Sequence, residues 1–347
     1  MYNSTTTPTT ATITEANTYD TIDYIVVTIN AIVFLVGVTG NLSVCLYFRL
    51  ENKRMRHLQS LIFYLALSDL FASITNPFLF IYLQLTKYKA WQLGELGCAL
   101  LPLSWRVSTS ISFGIIMLIN IDRCVALRYP FRDPPRKKHI SLIMTLIITI
   151  SFVMETPYLM YHHIDSETGN CRVPTVQEKG YAYPKLIVHF VRDMIYVAVF
   201  VCTFIVTKSE LSTKKISERG LVQDQTRINE NNQVIKMLFI VATAFIVTVF
   251  PREILHVTYT LSWMSSDTGM NTPDIVKVNS LLTCLYCCNS ICNVLIYAKL
   301  HKKFRAHVIS SVTASFIAKS GAREGDFELK GIETTTITNL RVPDNRI

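Results

Sequence analysis

Seven long apolar stretches limit the folds that this chain can adopt. They lie at about 24 to 48, 58 to 85, 99 to 121, 139 to 161, 184 to 207, 234 to 262 and 275 to 298. Each comes near or exceeds the roughly 20 residues that an α-helix needs to cross a bilayer. Because every backbone polar group in hydrocarbon must be hydrogen-bonded within the protein, stretches of this length cross membranes as helices. The sequence therefore predicts an all-α membrane protein, a bundle of seven transmembrane helices.

The composition agrees with a surface that faces lipid. Of the 347 residues, 50% are hydrophobic and 17% are charged, and the mean hydropathy is +0.31. Soluble globular domains contain about 25% charged residues on average. We expect four segments, namely an extracellular Thr-rich segment at 1–23, the seven-helix domain at 24–298, a short amphipathic helix at 299–310 and a cytoplasmic tail at 311–347.

The positions of the basic residues predict the orientation of the chain. In a soluble protein the net charge of +9 would suggest a nucleic-acid partner, but here the basic residues cluster in the first, third and fifth connectors. No Lys or Arg precedes Tyr24. Basic connectors stay on the cytoplasmic side, so we expect a plasma-membrane protein with an extracellular N-terminus and no nucleic-acid partner. The sequon Asn3-Ser4-Thr5 would then lie outside, where Asn3 could be glycosylated.

The amphipathic helix is predicted from a repeat just after the last apolar stretch. Leu300, Phe304 and Val308 follow one another at four-residue intervals among basic residues. This spacing places the apolar side chains on one face of a helix, and the basic residues suit the anionic inner leaflet. Membrane lipid is therefore an expected partner of this segment.

Polar residues inside the apolar stretches carry the most information, because such side chains usually face the interior of a helix bundle. In chain order they include Asn41, Asp69 within Leu65-Ala66-Leu67-Ser68-Asp69-Leu70, Asp122-Arg123-Cys124, Asn289, Ser290, Asn293 and Tyr297. Span six adds two apolar positions, Phe245 and Pro251. In order and spacing these residues resemble the rhodopsin-like, or class A, G-protein-coupled receptors. The resemblance covers about 24 to 310.

The sequence departs from the family pattern at several motif positions. Cys124 stands where the Asp-Arg-Tyr motif has tyrosine, Val249 stands where span six has tryptophan, and Val294 replaces the proline that follows Asn293. The chain therefore looks like a divergent branch of the family, and the usual aromatic switch of activation is in doubt.

The resemblance implies a set of roles for individual residues. Asp122, Arg123 and Tyr297 would serve coupling to a heterotrimeric G protein, with Arg123 released from Asp122 when span six swings outward. A disulfide would join Cys98 to Cys171, and the tail would meet arrestin and receptor kinases. The family's sodium pocket would be formed by Asp69, Ser112, Asn289 and Asn293. Hard oxygen ligands around one carboxylate suit that ion, although a purely structural polar network remains an alternative.

Charged residues in the outer third of the bundle indicate the ligand site. Trp105 occupies the position at which an amine receptor of this family has aspartate, and Cys287 stands where a photoreceptor has lysine, so the resemblance favours neither an amine nor retinal as the ligand. The expected ligand-site residues are Trp105, Arg106, Glu155, Arg192, Arg252, Glu253 and His256, with Asp193 beside them. A mixed-sign pocket suits a peptide, because buried charges need partners.

The motifs Trp91-Gln92-Leu93-Gly94 and Thr156-Pro157-Tyr158 are also similar to those of neuropeptide receptors. A neuropeptide receptor is therefore our leading hypothesis. Four alternatives stay open: charges that only pair with one another, an anionic lipid or small acid as ligand, a non-signalling decoy receptor, and a seven-helix transporter. The sequence has no enzyme signature, since it lacks a phosphate-binding glycine loop, a zinc-ligand pair and a nucleophile with a base, so we expect no catalytic activity.

Overall fold

Long helices make up most of the chain. The computed structural model describes residues 19–51, 57–87, 91–129, 137–165, 169–172, 179–217, 222–265 and 273–300. The chain divides into two units, Met1–His301 and Lys302–Ile347, and the described residues belong to the first. The elements in chain order are α1 Thr21–Glu51, α2 His57–Leu85, α3 Gly94–Arg128, α4 Lys137–Tyr161, β1 His163–Ile164, β2 Cys171–Arg172, α5 Lys179–Ser217, α6 Val222–Ser265, α7 Pro273–Cys287 and α8 Asn289–Leu300.

Seven spans of this bundle are long and apolar enough to cross a membrane, as the sequence predicted. Most helices extend beyond the apolar stretches that indicated them. The connector between the fifth and sixth apolar stretches, residues 208–233, is largely helical, because α5 continues to Ser217 and α6 begins at Val222. Polar residues at helix ends lie beyond the hydrocarbon, where water satisfies their side chains, so hydropathy marks the membrane crossing and not the helix end.

The seventh span consists of two helices. The membrane-length segment Asp274–Ile296 includes α7 and most of α8, which are separated at Cys288. Ser290 Oγ donates to the Cys287 carbonyl oxygen at 2.9 Å, and Ile291 N–H bonds to the Cys288 carbonyl three residues back. A hydroxyl that bonds the backbone in this way competes with the helical ladder and favours a bend. The predicted amphipathic helix at 299–310 lies outside the described residues from position 301.

Polar as well as apolar side chains are buried inside the bundle, and its outside is apolar. Leu142, Leu146 and Val153 of α4 are more than half exposed, as expected for side chains that face lipid. Asn41 is fully buried and donates from Nδ2 to the Ser290 carbonyl oxygen at 2.9 Å, which joins α1 to α8. Gly37 lets α1 approach α2 closely, since an added Cβ would lie 2.8 Å from Cβ of Ser73. Small residues and buried amides hold helices together where apolar burial contributes little.

A short antiparallel hairpin covers one end of the bundle. His163 pairs with Arg172 and Ile164 with Cys171, and Gly169 provides the left-handed turn with φ of 66°. Cys171 forms a disulfide with Cys98 near the start of α3. We call this end of the bundle outer and the opposite end inner, following the predicted orientation.

Candidate functional site

The expected ligand-site side chains surround one cavity near the outer end. α3 contributes Trp105 and Arg106, α4 contributes Glu155, and α5 contributes Arg192. α6 supplies Arg252, Glu253 and His256. The structure adds Lys185, His189 and Tyr286, whereas Asp193 is not among the lining residues. Five polar or charged side chains from α3, α4 and α6 therefore converge with basic residues of α5 on one cavity.

Each described carboxylate in or beside this cavity has a basic partner. Glu155 Oε1 lies 3.2 Å from His189 Nε2, and Glu155 Oε2 lies 3.9 Å from Arg106 Nη1. Arg192 Nη2 lies 3.1 Å from Glu253 Oε2 and 2.9 Å from Asp193 Oδ1. The His189–Glu155 and Arg192–Glu253 contacts cross from α5 to α4 and α6, and the side chains of all these residues are 11% exposed or less. Ion pairs at this depth hold their geometry only while both members are present.

Arg252 and Glu253 point in different directions, as expected for neighbours about 100° apart on a helix. Glu253 faces α5, where it meets Arg192 and His189. Arg252 faces α7, where its Nε donates to Thr283 Oγ1 at 3.0 Å. The Arg252 guanidinium also lies 4.2 Å from the ring centre of Trp105 and 5.4 Å from that of Tyr286. Among the described residues no carboxylate lies within 4.0 Å of Arg252.

An aromatic cluster lies deeper, where the family has its tryptophan. Val249 is fully buried at that position. The ring centre of Phe113 lies 4.4 Å from that of Tyr196 and 5.1 Å from that of Phe245. The guanidinium carbon of Arg192, which lines the charged cavity, lies 4.9 Å from the ring centre of Phe113. The cluster therefore joins α3, α5 and α6 directly beneath the charged cavity.

A second polar site surrounds Asp69 in the middle of the bundle. Ser112 Oγ donates to Asp69 Oδ1 at 3.0 Å, and Asn293 Nδ2 donates to Oδ2 at 2.7 Å. Asn289, which was expected to share this pocket, instead accepts a hydrogen bond from Thr248 of α6 at 3.4 Å. Carboxylate and hydroxyl oxygens are present together, so the residues suit a hard cation such as sodium.

The inner end carries the Asp122-Arg123-Cys124 motif, which was expected to serve coupling. Arg123 Nε donates to Asp122 Oδ2 at 2.9 Å. His57 Nδ1 of α2 lies 2.9 Å from the other oxygen of Asp122, a contact that the sequence did not suggest. Beside Arg123 a small cavity of about 40 Å³ opens between α3, α5 and α6. The side chain of Tyr297, as well as Asn3 and the tail, lies outside the described residues.

The disulfide between Cys98 and Cys171 joins the hairpin to the first turns of α3. The carbonyl oxygen of Cys98 also accepts a hydrogen bond from the buried Tyr158 hydroxyl of α4 at 2.9 Å. Trp91 N–H bonds to the Gly169 carbonyl oxygen at 3.1 Å, which ties the preceding connector to the same hairpin. The disulfide and these two hydrogen bonds together join α3, α4, the hairpin and the connector before α3.

Replacing Cys98 with alanine should strongly reduce the amount of folded protein at the cell surface. Loss of a native disulfide typically costs about 2–5 kcal/mol. The measurement is surface staining and thermal stability of the purified variant. Cys202→Ala is the control, because Cys202 is a free and exposed cysteine of α5. Parent-like stability of the Cys98 variant would show that the hairpin is held without the bridge.

Sequence reasoning missed Lys185, His189 and Tyr286. Lys185 and His189 lie in the first turns of the α5 span, where basic residues look like interfacial anchors. Their four-residue spacing, continued by Asp193, was the available signal for one charged face of α5. Tyr286 lies among cysteines and apolar residues of α7, and it hydrogen-bonds Thr109 of α3. No local pattern marks Tyr286 as part of the site.

Comparison with known proteins gives one family and several relatives. Residues 40–297 match the family model of the seven-transmembrane receptors of the rhodopsin family. The human platelet-activating factor receptor is 24% identical over 333 residues, which are 91% of this chain and 92% of the relative. The type-1 angiotensin II receptor B of Xenopus laevis is 25% identical and covers 84% of this chain and 80% of the relative.

The galanin receptor 2b of Danio rerio is also 25% identical, over 86% of this chain and 77% of its own length. These relatives extend over most of both chains, but their names refer to three different ligands. Similarity of this degree supports the receptor family and does not select a ligand.

Proposed function

Because the chain belongs to the rhodopsin family of seven-transmembrane receptors, we propose that it binds an extracellular peptide in the outer charged cavity and activates a heterotrimeric G protein through Arg123. A receptor of this family is a multi-pass protein of the plasma membrane with a ligand and a G protein as partners. The observation that carries the proposal is the convergence of charged side chains from α3, α4, α5 and α6 on one cavity. A peptide offers both signs of charge, amides and aromatic groups to such a site.

The aromatic cluster supports a route from the ligand site to the inner end. A ligand that displaces Arg192 would act on Phe113, which packs on Tyr196 and Phe245. A shift of α6 at Phe245 would then act on the inner half of α6, next to the cavity beside Arg123. The tryptophan that Val249 replaces is not needed for this route, because the cluster itself connects three helices.

Arg123 supports G-protein activation by this chain and argues against a non-signalling decoy receptor. The Asp122–Arg123 hydrogen bond keeps the guanidinium at the inner end of α3. A released guanidinium can bond backbone carbonyl oxygens of a partner, which a neutral side chain cannot do. Arrestin and receptor kinases are proposed further partners through the tail at 311–347.

Sodium is a proposed regulator at Asp69. The Asp69 carboxylate and the hydroxyls of Ser112 and Ser68, which lie 3.1 Å apart, would hold the ion. The ion would supply positive charge that stabilises the ionised carboxylate.

An anionic lipid or small acid is the second candidate ligand. The observation that favours it is Arg252, which has no described carboxylate within 4.0 Å although it lines the cavity. Both candidates are tested in cells that express the full chain with calcium and cyclic AMP reporters, by comparing a neuropeptide library with a panel of fatty acids and lysophosphatidates. A response to the peptides supports the proposal, a response to the acids alone supports the second candidate, and binding without any response supports a decoy.

The N-terminus is proposed to be extracellular. Basic residues are concentrated in the odd-numbered connectors, and such connectors stay in the cytoplasm. An epitope added before residue 1 should therefore be stained by antibody on intact cells, and an epitope after residue 347 only on permeabilised cells. The opposite staining pattern would show that the membrane orientation is the reverse of the proposed one, with the charged cavity facing the cytoplasm.

A further inference from the structure

The charged cavity borders a second cavity of different character. This second cavity has a volume of about 200 Å³ and lies between α1, α2, α3 and α7. Its wall is largely apolar, with Leu79, Phe80, Leu83 and Pro102 among the lining residues. Trp105, Arg106 and Arg252 line both cavities, so a ligand that reaches one of them can extend into the other past these three side chains.

The acidic groups of the charged cavity are already neutralised by the protein. Glu155 lies between His189 and Arg106, and Glu253 lies between Arg192 and His189. A cationic ligand group would have to displace one of these bases before it could pair with a carboxylate. The described acids therefore offer little to a ligand cation.

Arg252 is in the opposite situation. Its Nε bonds Thr283, but its two terminal nitrogens have no hydrogen bond to any described residue. Its contacts with Trp105 and Tyr286 are with ring faces, which attract a cation more weakly than a carboxylate does. A partly buried guanidinium without an anion is costly, and its planar pair of donors matches a carboxylate or phosphate.

We propose that the ligand carries an anionic group, a carboxylate or a phosphate, which binds the terminal nitrogens of Arg252, and an apolar group that occupies the adjoining cavity. This inference rests on the proposed function as a receptor, and it specifies the chemistry of the ligand. The anion has two sources that share this chemistry, the free C-terminal carboxylate of a peptide and the headgroup of a lipid. In both, Arg252 selects the acid and the wall near Phe80 and Leu83 receives the apolar part.

The first test needs no ligand. Arg252→Gln removes a cation that has no described counter-ion, so the purified receptor should unfold at a temperature equal to or above that of the parent. Arg192→Gln is the matched control, because it leaves Asp193 and Glu253 without their guanidinium and should lower the unfolding temperature. If the Arg252 variant loses as much thermal stability as the Arg192 variant, Arg252 is compensated within the protein and the inference fails.

The second test compares acids with matched neutral molecules. The purified full chain is heated with oleate or oleyl alcohol, with 1-oleoyl lysophosphatidate or 1-oleoylglycerol, and with the peptide library made as free acids or as C-terminal amides. A molecule that binds the folded state raises the unfolding temperature. We expect stabilisation by the acids of one series, and an affinity about 30-fold or more lower in Arg252→Gln, as for loss of one partner of a desolvated charge pair. Arg252→Lys should retain part of the affinity.

The outcomes separate this inference from the proposed function. Binding by neutral or amidated members alone, by acids equally well in the parent and Arg252→Gln, or by no acid of either series overturns the anion site. An acid that binds through Arg252 without activating a G protein leaves the anion site standing and contradicts the proposed signalling. An uncharged agonist that activates the G protein equally well in the parent and in Arg252→Gln supports the proposed signalling and contradicts the anion site.

Discussion

Replacing Arg123 with alanine is expected to reduce G-protein activation by about tenfold or more while ligand binding is retained. The physical reason is the loss of charge-assisted hydrogen bonds to the partner, each of which contributes about 1.5–3 kcal/mol. Arg123 is paired with Asp122 in the structure and lines the small inner cavity, so it is positioned for this exchange of partners. The measurement is G-protein activation in cells at equal surface expression.

Arg128→Ala is the matched control for this prediction. Arg128 is an exposed arginine at the inner end of the same helix, so the variant removes the same charge from a different site. Both variants should reach the cell surface, because neither removes a core side chain. Undiminished signalling by Arg123→Ala would show that the receptor uses another contact, in agreement with the altered residue Cys124 beside it.

Replacing Arg192 with glutamine is expected to lower the free energy of unfolding by about 3–5 kcal/mol, the usual consequence of removing one member of a buried ion pair. Arg192 lies 2.9 Å from Asp193 and 3.1 Å from Glu253, and all three side chains are at most 11% exposed. The loss should appear as a lower unfolding temperature and weaker surface expression. A double variant tests the cause.

Arg192→Gln combined with Glu253→Gln should recover part of the lost stability, because the second change removes one of the two carboxylates that the first leaves unpaired. Glu253→Gln alone should cost less than Arg192→Gln, since Arg192 keeps Asp193 as a partner. Additive losses in the double variant would contradict a coupled ion-pair network and indicate independent packing effects.

The seven spans were predictable because each satisfies a length and hydropathy condition that neighbouring helices do not alter. The helix ends were not. α5 and α6 continue through polar sequence, where hydropathy no longer reports on helix formation. The Asp122–Arg123 contact joins neighbours in the chain, so a local pattern was enough to suggest it.

The charged cavity was predictable only in part. Hydropathy identified Arg252 and Glu253 as costly residues in a span, but their directions depend on the rotation of α6 against α5 and α7. The structure directs Glu253 to Arg192 and Arg252 to Thr283. Asn289 shows the same limitation, because it lies just after the break at Cys288, and its amide oxygen there faces Thr248 and not Asp69.

The central claim, that this chain is a receptor that activates a G protein, is tested most directly by nucleotide exchange with purified components. The full chain is reconstituted in lipid vesicles with heterotrimeric G protein, and binding of labelled GTP analogue is followed with members of the peptide library and of the acid panel. If the chain is such a receptor, at least one member should increase exchange above that of vesicles without receptor, and Arg123→Ala should reduce the increase by about tenfold or more. If members of either series bind the chain but nucleotide exchange never exceeds that of empty vesicles, the central claim is contradicted.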